Sequence, residues 1–354
     1  MSSDSITDSE REYGCDAFRY NVAENWPVMP PDLQFVEVTA VATDSLDRVY
    51  VFNRGEHPVA IFSPEGAYIT SWGEGVFARA HGITIGPDDA VYCVDDLDHT
   101  VKKFTTEGRL IMTIGRSGCY SNTGATTVDY RTIQCVGGPF NFPTNLALSP
   151  GGDIYVADGY GNARIHRFTS EGDLLYSWGE PGSGPGQFQI PHGIAIDKNG
   201  LVYVADRENS RIQIFSAEGE YLTEWQEIAR PCQVYIDRDS IVYVAELGYR
   251  AGMWPGTHPP SPYATGGRIS LFNLSGELQA RWGGTGDPCL PGNFFAPHDI
   301  QVDSKGDIYL SEVIMSAGGT EVLFLLLATL CRNSYFNQKR CCNEISLRTT
   351  GCTC

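Results

Sequence analysis

The sequence predicts an all-β fold, a six-bladed β-propeller, on three observations. A unit of about 40–50 residues recurs along the chain, the period of one propeller blade. Each copy reads as a series of short strands with an aromatic anchor at one fixed place: Tyr50, Tyr92, Tyr155, Tyr203, Tyr243 and Tyr309. Gly 39 and Pro 20 supply the breaks that many short strands need. One such sheet cannot bury both of its faces, whereas blades stacked around a closed ring can.

The copies follow in order. "RVYVFNRGEHPVAIFSPEGAYITSWG" begins at Arg48, "AVYCVDDLDHTVKKFTTEGRLIMTIG" at Ala90 and "DIYVADGYGNARIHRFTSEGDLLYSWG" at Asp153. "LVYVADRENSRIQIFSAEGEYLTEWQ" begins at Leu201, and "IVYVAELG" begins at Ile241, resuming after an insertion as "GRISLFNLSGELQARWGG". "DIYLSEV" begins at Asp307. In the fourth copy "HGIAID" alternates, turns at "KNG" and returns as "LVYVAD"; "RIQIFS" then turns at "AEG" into "EYLTEWQ". Such alternating, β-branched runs bounded by Gly, Asn and Asp are strands. Asp44, Asp197, Asp237 and Asp303 recur beside the turns and read as turn residues.

The repeat fades after Gly319, so residues 31–319 form the expected propeller and the last blade shows two recognisable strands. Val322–Leu330 is apolar enough to serve as its third strand, and Phe18–Val22, within an N-terminal extension of residues 1–30, can pair in and close the ring. Residues 320–354 are Cys-rich and net basic, unlike the rest, and are expected to be a poorly ordered tail.

A formal net charge of −18 argues against a surface for nucleic acid or anionic membrane, which needs clustered Lys and Arg. The N-terminus has no basic start followed by an apolar run, and no stretch reaches membrane-spanning length, so a cytoplasmic location is expected. Among the eleven cysteines none forms a zinc-ribbon spacing; Cys119 and Cys135 bracket a loop and are expected to be free thiols.

Three histidines stand at one register of the repeat in alternate copies: His81 in "AHGITI", His192 in "PHGIAI" and His298 in "PHDIQV". Thr39, Thr144 and Cys232 hold that register in the copies between, so the repeat itself does not demand histidine. In a closed ring three imidazoles then converge on the axis, the donor set of a zinc site with an open position. Blade connectivity places these histidines on one face, with the long insertions Arg116–Asn141 and Leu247–Gly267. Arg54 and Arg207 share a second register on that face and are forks for a carboxylate or oxyanion, or else surface partners of Glu56 and Glu208. Tyr160 lies one residue beyond that register; beside zinc and two guanidinium groups its pKa falls and it can act as a base. Asp299 either binds a second ion or caps a turn, and Cys232 reads as small-residue packing. His57, His99, His166 and His258 share no register and carry no assigned role.

The ordered motifs "VFNRG", "HGITI", "ADGYGNARI", "PHGIAI", "ADRENSRIQ" and "PHDI" make the chain resemble the peptidyl-α-hydroxyglycine α-amidating lyases, whose blades are NHL repeats. The resemblance spans Val36 to Val313. It implies zinc on His81, His192 and His298, and a structural calcium on Asp299 and the backbone carbonyls of Val41 and Ile83. It further implies Tyr160 as base, Arg54 and Arg207 steadying carboxylate and alkoxide, and a peptide or small-molecule substrate ending in α-hydroxyglycine that is cleaved to glyoxylate and an amide. The family often carries Met where Ala296 stands, and its animal members carry cysteines at Gly161 and Ile214. Two other readings keep part of the pattern: a propeller metallo-hydrolase or lyase acting on a small ester or lactone, and a non-catalytic NHL-repeat binding module.

Overall fold

The period-two strands and their glycine-marked turns fold as antiparallel blades. The computed structural model describes residues 12–15, 17–23, 25–250, 265–288, 290–318 and 327–332. Five four-stranded sheets and one five-stranded sheet succeed one another, which makes six blades, with a two-stranded ribbon beside the fourth. Their innermost strands are Val38–Thr43, Ala80–Ile85, Asn145–Leu148, Pro191–Ile196, Pro231–Ile236 and Pro297–Val302. The last of these packs against the first, so the ring is closed.

Burial follows from that ring. Every second strand, the one carrying the anchor tyrosine, is buried along all of its residues. Outer strands such as Leu110–Gly115 are largely exposed. The apolar core is divided into clusters, each lying between two neighbouring blades. Tyr50, Phe52 and Trp72 of blade one meet Ile83, Val91 and Phe104 of blade two, and Tyr309 of blade six meets Val41 and Val49 of blade one. Each blade thus buries apolar surface only by contact with its neighbours, at roughly 25 cal/mol per Å².

The "EG" turns have a packing reason. Gly108 and Gly219 adopt φ of +83°. A Cβ there would stand 2.6 Å from the Trp72 ring and 2.7 Å from the Trp178 ring, so only glycine both takes the turn and lets the preceding blade's tryptophan close over it. The recurring aspartates are turn residues: Asp44 Oδ1 accepts the amides of Leu46 and Arg48 at 3.0 and 2.9 Å, and Asp197 Oδ1 accepts those of Asn199 and Leu201 at 2.8 and 2.9 Å.

The sixth blade extends past the Gly319 boundary that the repeat suggests. Its third strand is Leu327–Arg332, which pairs with Ile308–Glu312 on one side and Phe18–Val22 on the other, while Glu12–Cys15 adds a fifth strand. This strand lacks the phenylalanine and glycine signature of the other copies, so repeat reading stops short of it. Gly319, His258 and the rest of residues 320–354 lie outside the described residues. Cys119 and Cys135 are free and exposed. Among the described residues no helix is long and apolar enough to cross a membrane.

Candidate metal centre

The register that spaces the histidines along the sequence brings them together in space. His81, His192 and His298 lie at or next to the starts of their inner strands, all buried, with ring centroids 4.8 to 5.0 Å apart. One ring nitrogen from each falls within 4.8 Å of the others.

The blades between the histidines do more than space them. His81 Nδ1 lies 2.6 Å from the carbonyl oxygen of Thr144, His192 Nδ1 2.8 Å from that of Cys232, and His298 Nδ1 2.6 Å from that of Thr39. These are the three residues that hold the histidine register in the intervening blades. A carbonyl can only accept, so each Nδ1 carries its proton and each Nε2 presents a lone pair. Outer-shell acceptors of this type orient a ligand histidine. Burial, aided by the neighbouring arginines, keeps the imidazoles neutral: His81 and His192 are held well below the ordinary value, and His298 is brought down to about 3.

A buried carboxylate at the end of the second strand fixes the approach to each histidine. Asp95 accepts the amides of Ala78 and Arg79 at 2.7 and 2.9 Å, Asp206 that of Gln189 at 2.8 Å, and Glu312 those of Phe295 and Ala296 at 2.7 and 2.9 Å. In each case the latch includes the amide three residues before the histidine. Sequence reading missed these acids, although "VDD", "VAD" and "SEV" mark them.

Tyr160 reaches the centre. Its hydroxyl lies 3.1 Å from Nε2 of both His81 and His192, and Arg207 Nη1 donates to it at 3.4 Å, with the guanidinium 5.4 Å from the ring centroid. The Arg116–Asn141 insertion pins the loop that carries it: Thr123 Oγ1 donates to the Gly161 carbonyl at 2.5 Å, and the Gly161 amide donates to the Asn141 carbonyl at 3.0 Å. Burial outweighs Arg207 and holds the phenol above its ordinary value, so the expected fall of the Tyr160 pKa does not come from the protein's own charges.

Both arginines face the histidines, with different ties. Arg207 is buried and does pair with Glu208, at 2.9 Å, whose carboxylate also takes the fully buried Arg230. Arg54 pairs at 2.6 Å with Glu37 rather than Glu56, and also bonds Ser316 Oγ and the Ala80 carbonyl. Burial pushes the Glu37 carboxyl up, but Ser316 and Arg54 outweigh it and hold the group below its usual range. The remaining described histidines have local partners: His57 faces Glu74, His99 Nδ1 accepts the Phe142 amide, and His166 lies between Asp158 and Ser177.

One step further along the axis, Asp299, Val41 and Ile83 line a channel of about 580 Å³, together with Gln233. Asp299 is buried and accepts the Val41 amide at 3.2 Å and the Ile300 amide at 2.8 Å. Burial raises its carboxyl to about 7 against these neutral donors.

Comparison with known proteins now bears on this geometry. The NHL repeat model matches residues 140–168 and 188–215. NHL repeat-containing protein 3 of Mus musculus is 30% identical over 292 residues, covering 77% of this chain and 76% of that protein. The chain belongs to this NHL-repeat family. Peptidyl-alpha-hydroxyglycine alpha-amidating lyase 1 of Drosophila melanogaster is a further relative, 28% identical over 333 residues, which is 81% of this chain and 57% of the lyase. The resemblance carried by the six ordered motifs therefore holds. A gluconolactonase from Xanthomonas campestris shares the fold with a TM-score of 0.57 at 12% identity, over 89% of each chain.

Proposed function

We propose that this NHL-repeat protein is a zinc-dependent lyase that cleaves the C–N bond of a peptidyl-α-hydroxyglycine or similar α-hydroxy amide, giving glyoxylate and an amide. The observation that carries this reading is the Tyr160 hydroxyl set against two Nε2 atoms of a neutral histidine tripod. The tripod fits zinc: three uncharged imidazoles, each fixed by a carbonyl at Nδ1, offer Nε2 from three sides. A bound zinc ion would acidify a coordinated hydroxyl and bring down the pKa of the phenol beside it.

The chain's own groups do the rest. Tyr160 takes the proton of the substrate hydroxyl. Arg207, already on the phenol oxygen, steadies the charge that passes between them. Arg54, held by Glu37 and Ser316, receives the substrate carboxylate as a fork. Collapse of the alkoxide breaks the C–N bond. On the channel side, Asp299 with the carbonyls of Val41 and Ile83 would hold a structural calcium, and a buried carboxyl facing only neutral donors suits a cation there.

The relatives named as amidating lyases support the substrate class. The test is elemental analysis of the purified protein alongside glyoxylate release from a short α-hydroxyglycine peptide. We expect stoichiometric zinc and glyoxylate, with Tyr160→Phe keeping the metal and losing about 10²–10⁴ in rate. Zinc without glyoxylate would overturn the lyase reading, and neither would overturn the metal site as well.

A further inference from the structure

A third guanidinium stands on the histidine face, and nothing so far uses it. Arg79 precedes His81 by two residues, and Asp96 occupies in blade two the register that Arg54 and Arg207 occupy in theirs. Arg79 Nε and Nη2 each donate to one oxygen of Asp96, both at 2.7 Å. The Asp96 side chain is fully buried while that of Arg79 is 29% exposed, so the carboxylate anchors a fork that remains open on one side. The backbone is fixed too, through the Asp95 latch on the Arg79 amide at 2.9 Å. Nη1 bonds nothing among the described residues, and the charge acts on both His81 and Tyr160. Arg79 therefore sits, on blade two, between Arg54 of blade one and Tyr160 of blade three.

The chemistry of the lyase reading leaves one atom unattended. Cleavage of R–CO–NH–CH(OH)–COO⁻ removes the hydroxyl proton, forms the aldehyde C=O of glyoxylate, and sends the C–N bonding pair to the amide nitrogen. That nitrogen then takes up one proton, equivalent to the one that Tyr160 removes from the hydroxyl and then returns, to give R–CO–NH₂ with no net change in the protein. Until it does, the pair is delocalised onto the oxygen of the leaving amide. Tyr160 and Arg207 serve the hydroxyl and Arg54 the carboxylate; none serves the amide oxygen.

We propose that Arg79, braced by Asp96, donates to the carbonyl oxygen of the leaving amide, and so selects N-acylated α-hydroxyglycines over free α-hydroxy acids. The proposal rests on the lyase reading. A charged, pre-oriented fork is well suited to an oxygen that gains charge in the transition state.

The test is binding and rate together. Calorimetry on the purified protein compares N-benzoylglycine, which carries the acyl oxygen, with glyoxylate, which does not. Arg79→Gln should weaken N-benzoylglycine about tenfold and leave glyoxylate unchanged, with Arg79→Lys in between. Unchanged glyoxylate affinity also shows that the site is intact. With N-benzoyl-α-hydroxyglycines bearing ring substituents, Arg79→Gln should make the rate more sensitive to leaving-group basicity. Equal weakening of both ligands, weakening of neither, or an unaltered leaving-group dependence overturns the proposal. A wild-type protein that releases no glyoxylate overturns the underlying reading instead.

Discussion

The two layers of the central channel handle buried charge in opposite ways. In the histidine layer each arginine has an acid: Arg54 with Glu37, Arg79 with Asp96, and Arg207 and Arg230 with Glu208. In the layer beneath, Asp299 has no basic partner among the described residues and meets amide groups there. His298 and Asp299 are adjacent, and they reach Thr39 and Val41 of the same neighbouring strand. Two successive residues of one strand thus sit in two electrostatic regimes, one where each guanidinium is paired with an acid and one where a carboxyl is buried among amides.

The largest way to break this contrast is His192→Ala. Removal of one imidazole should abolish both zinc retention and glyoxylate release, while thermal unfolding still responds to calcium; elemental analysis and a melting series check both halves. If the calcium response vanished as well, the two layers would not be independent.

A second test concerns protonation of the latches. Burial raises the Glu312 carboxyl from 4.5 to about 7. The folded state therefore holds this proton more tightly than the unfolded chain. Its contribution is full below pH 4.5 and is lost as pH rises through about 7, a change of about 3 kcal/mol. Both latched amides donate to the same oxygen, so Glu312→Gln can keep both bonds without the charge. In denaturant titrations of metal-stripped protein, the variant should flatten the stability loss between those pH values.

The smallest effect sharpens the lower layer. Calcium at a hundred times its Kd should stabilise the wild type by about 2.7 kcal/mol. Asp299→Asn should abolish that gain and leave bound zinc unchanged, as read by melting and metal analysis.

Much of this arrangement is legible in the chain, for identifiable reasons. The anchor tyrosines and the histidine register repeat because each blade reuses one backbone, so period alone finds them. The carbonyls of Thr39, Thr144 and Cys232 leave no such mark, because a backbone atom does its work whatever side chain it carries. Sequence could show only that those positions were not histidine. Arg79 and Asp96 escape for another reason: each looks like an ordinary surface charge until the fold brings strand end and loop together. Position along the repeat finds Tyr160, but a sequence does not display its burial, which outweighs the pull of Arg207. The third strand of blade six is legible as the apolar run Val322–Leu330, but its bounds, Leu327–Arg332, are not, because it pairs without the repeat's signature.

That strand carries a consequence for assembly. Tyr20 pairs with Arg332, so blade six is knitted from distant parts of the polypeptide, and it also bears His298. His81 and His192 belong to blades formed from contiguous sequence, whereas the blade holding the last imidazole requires the longest loop closure in the molecule. A ring whose sixth blade is not yet clasped therefore presents only two of the three imidazoles.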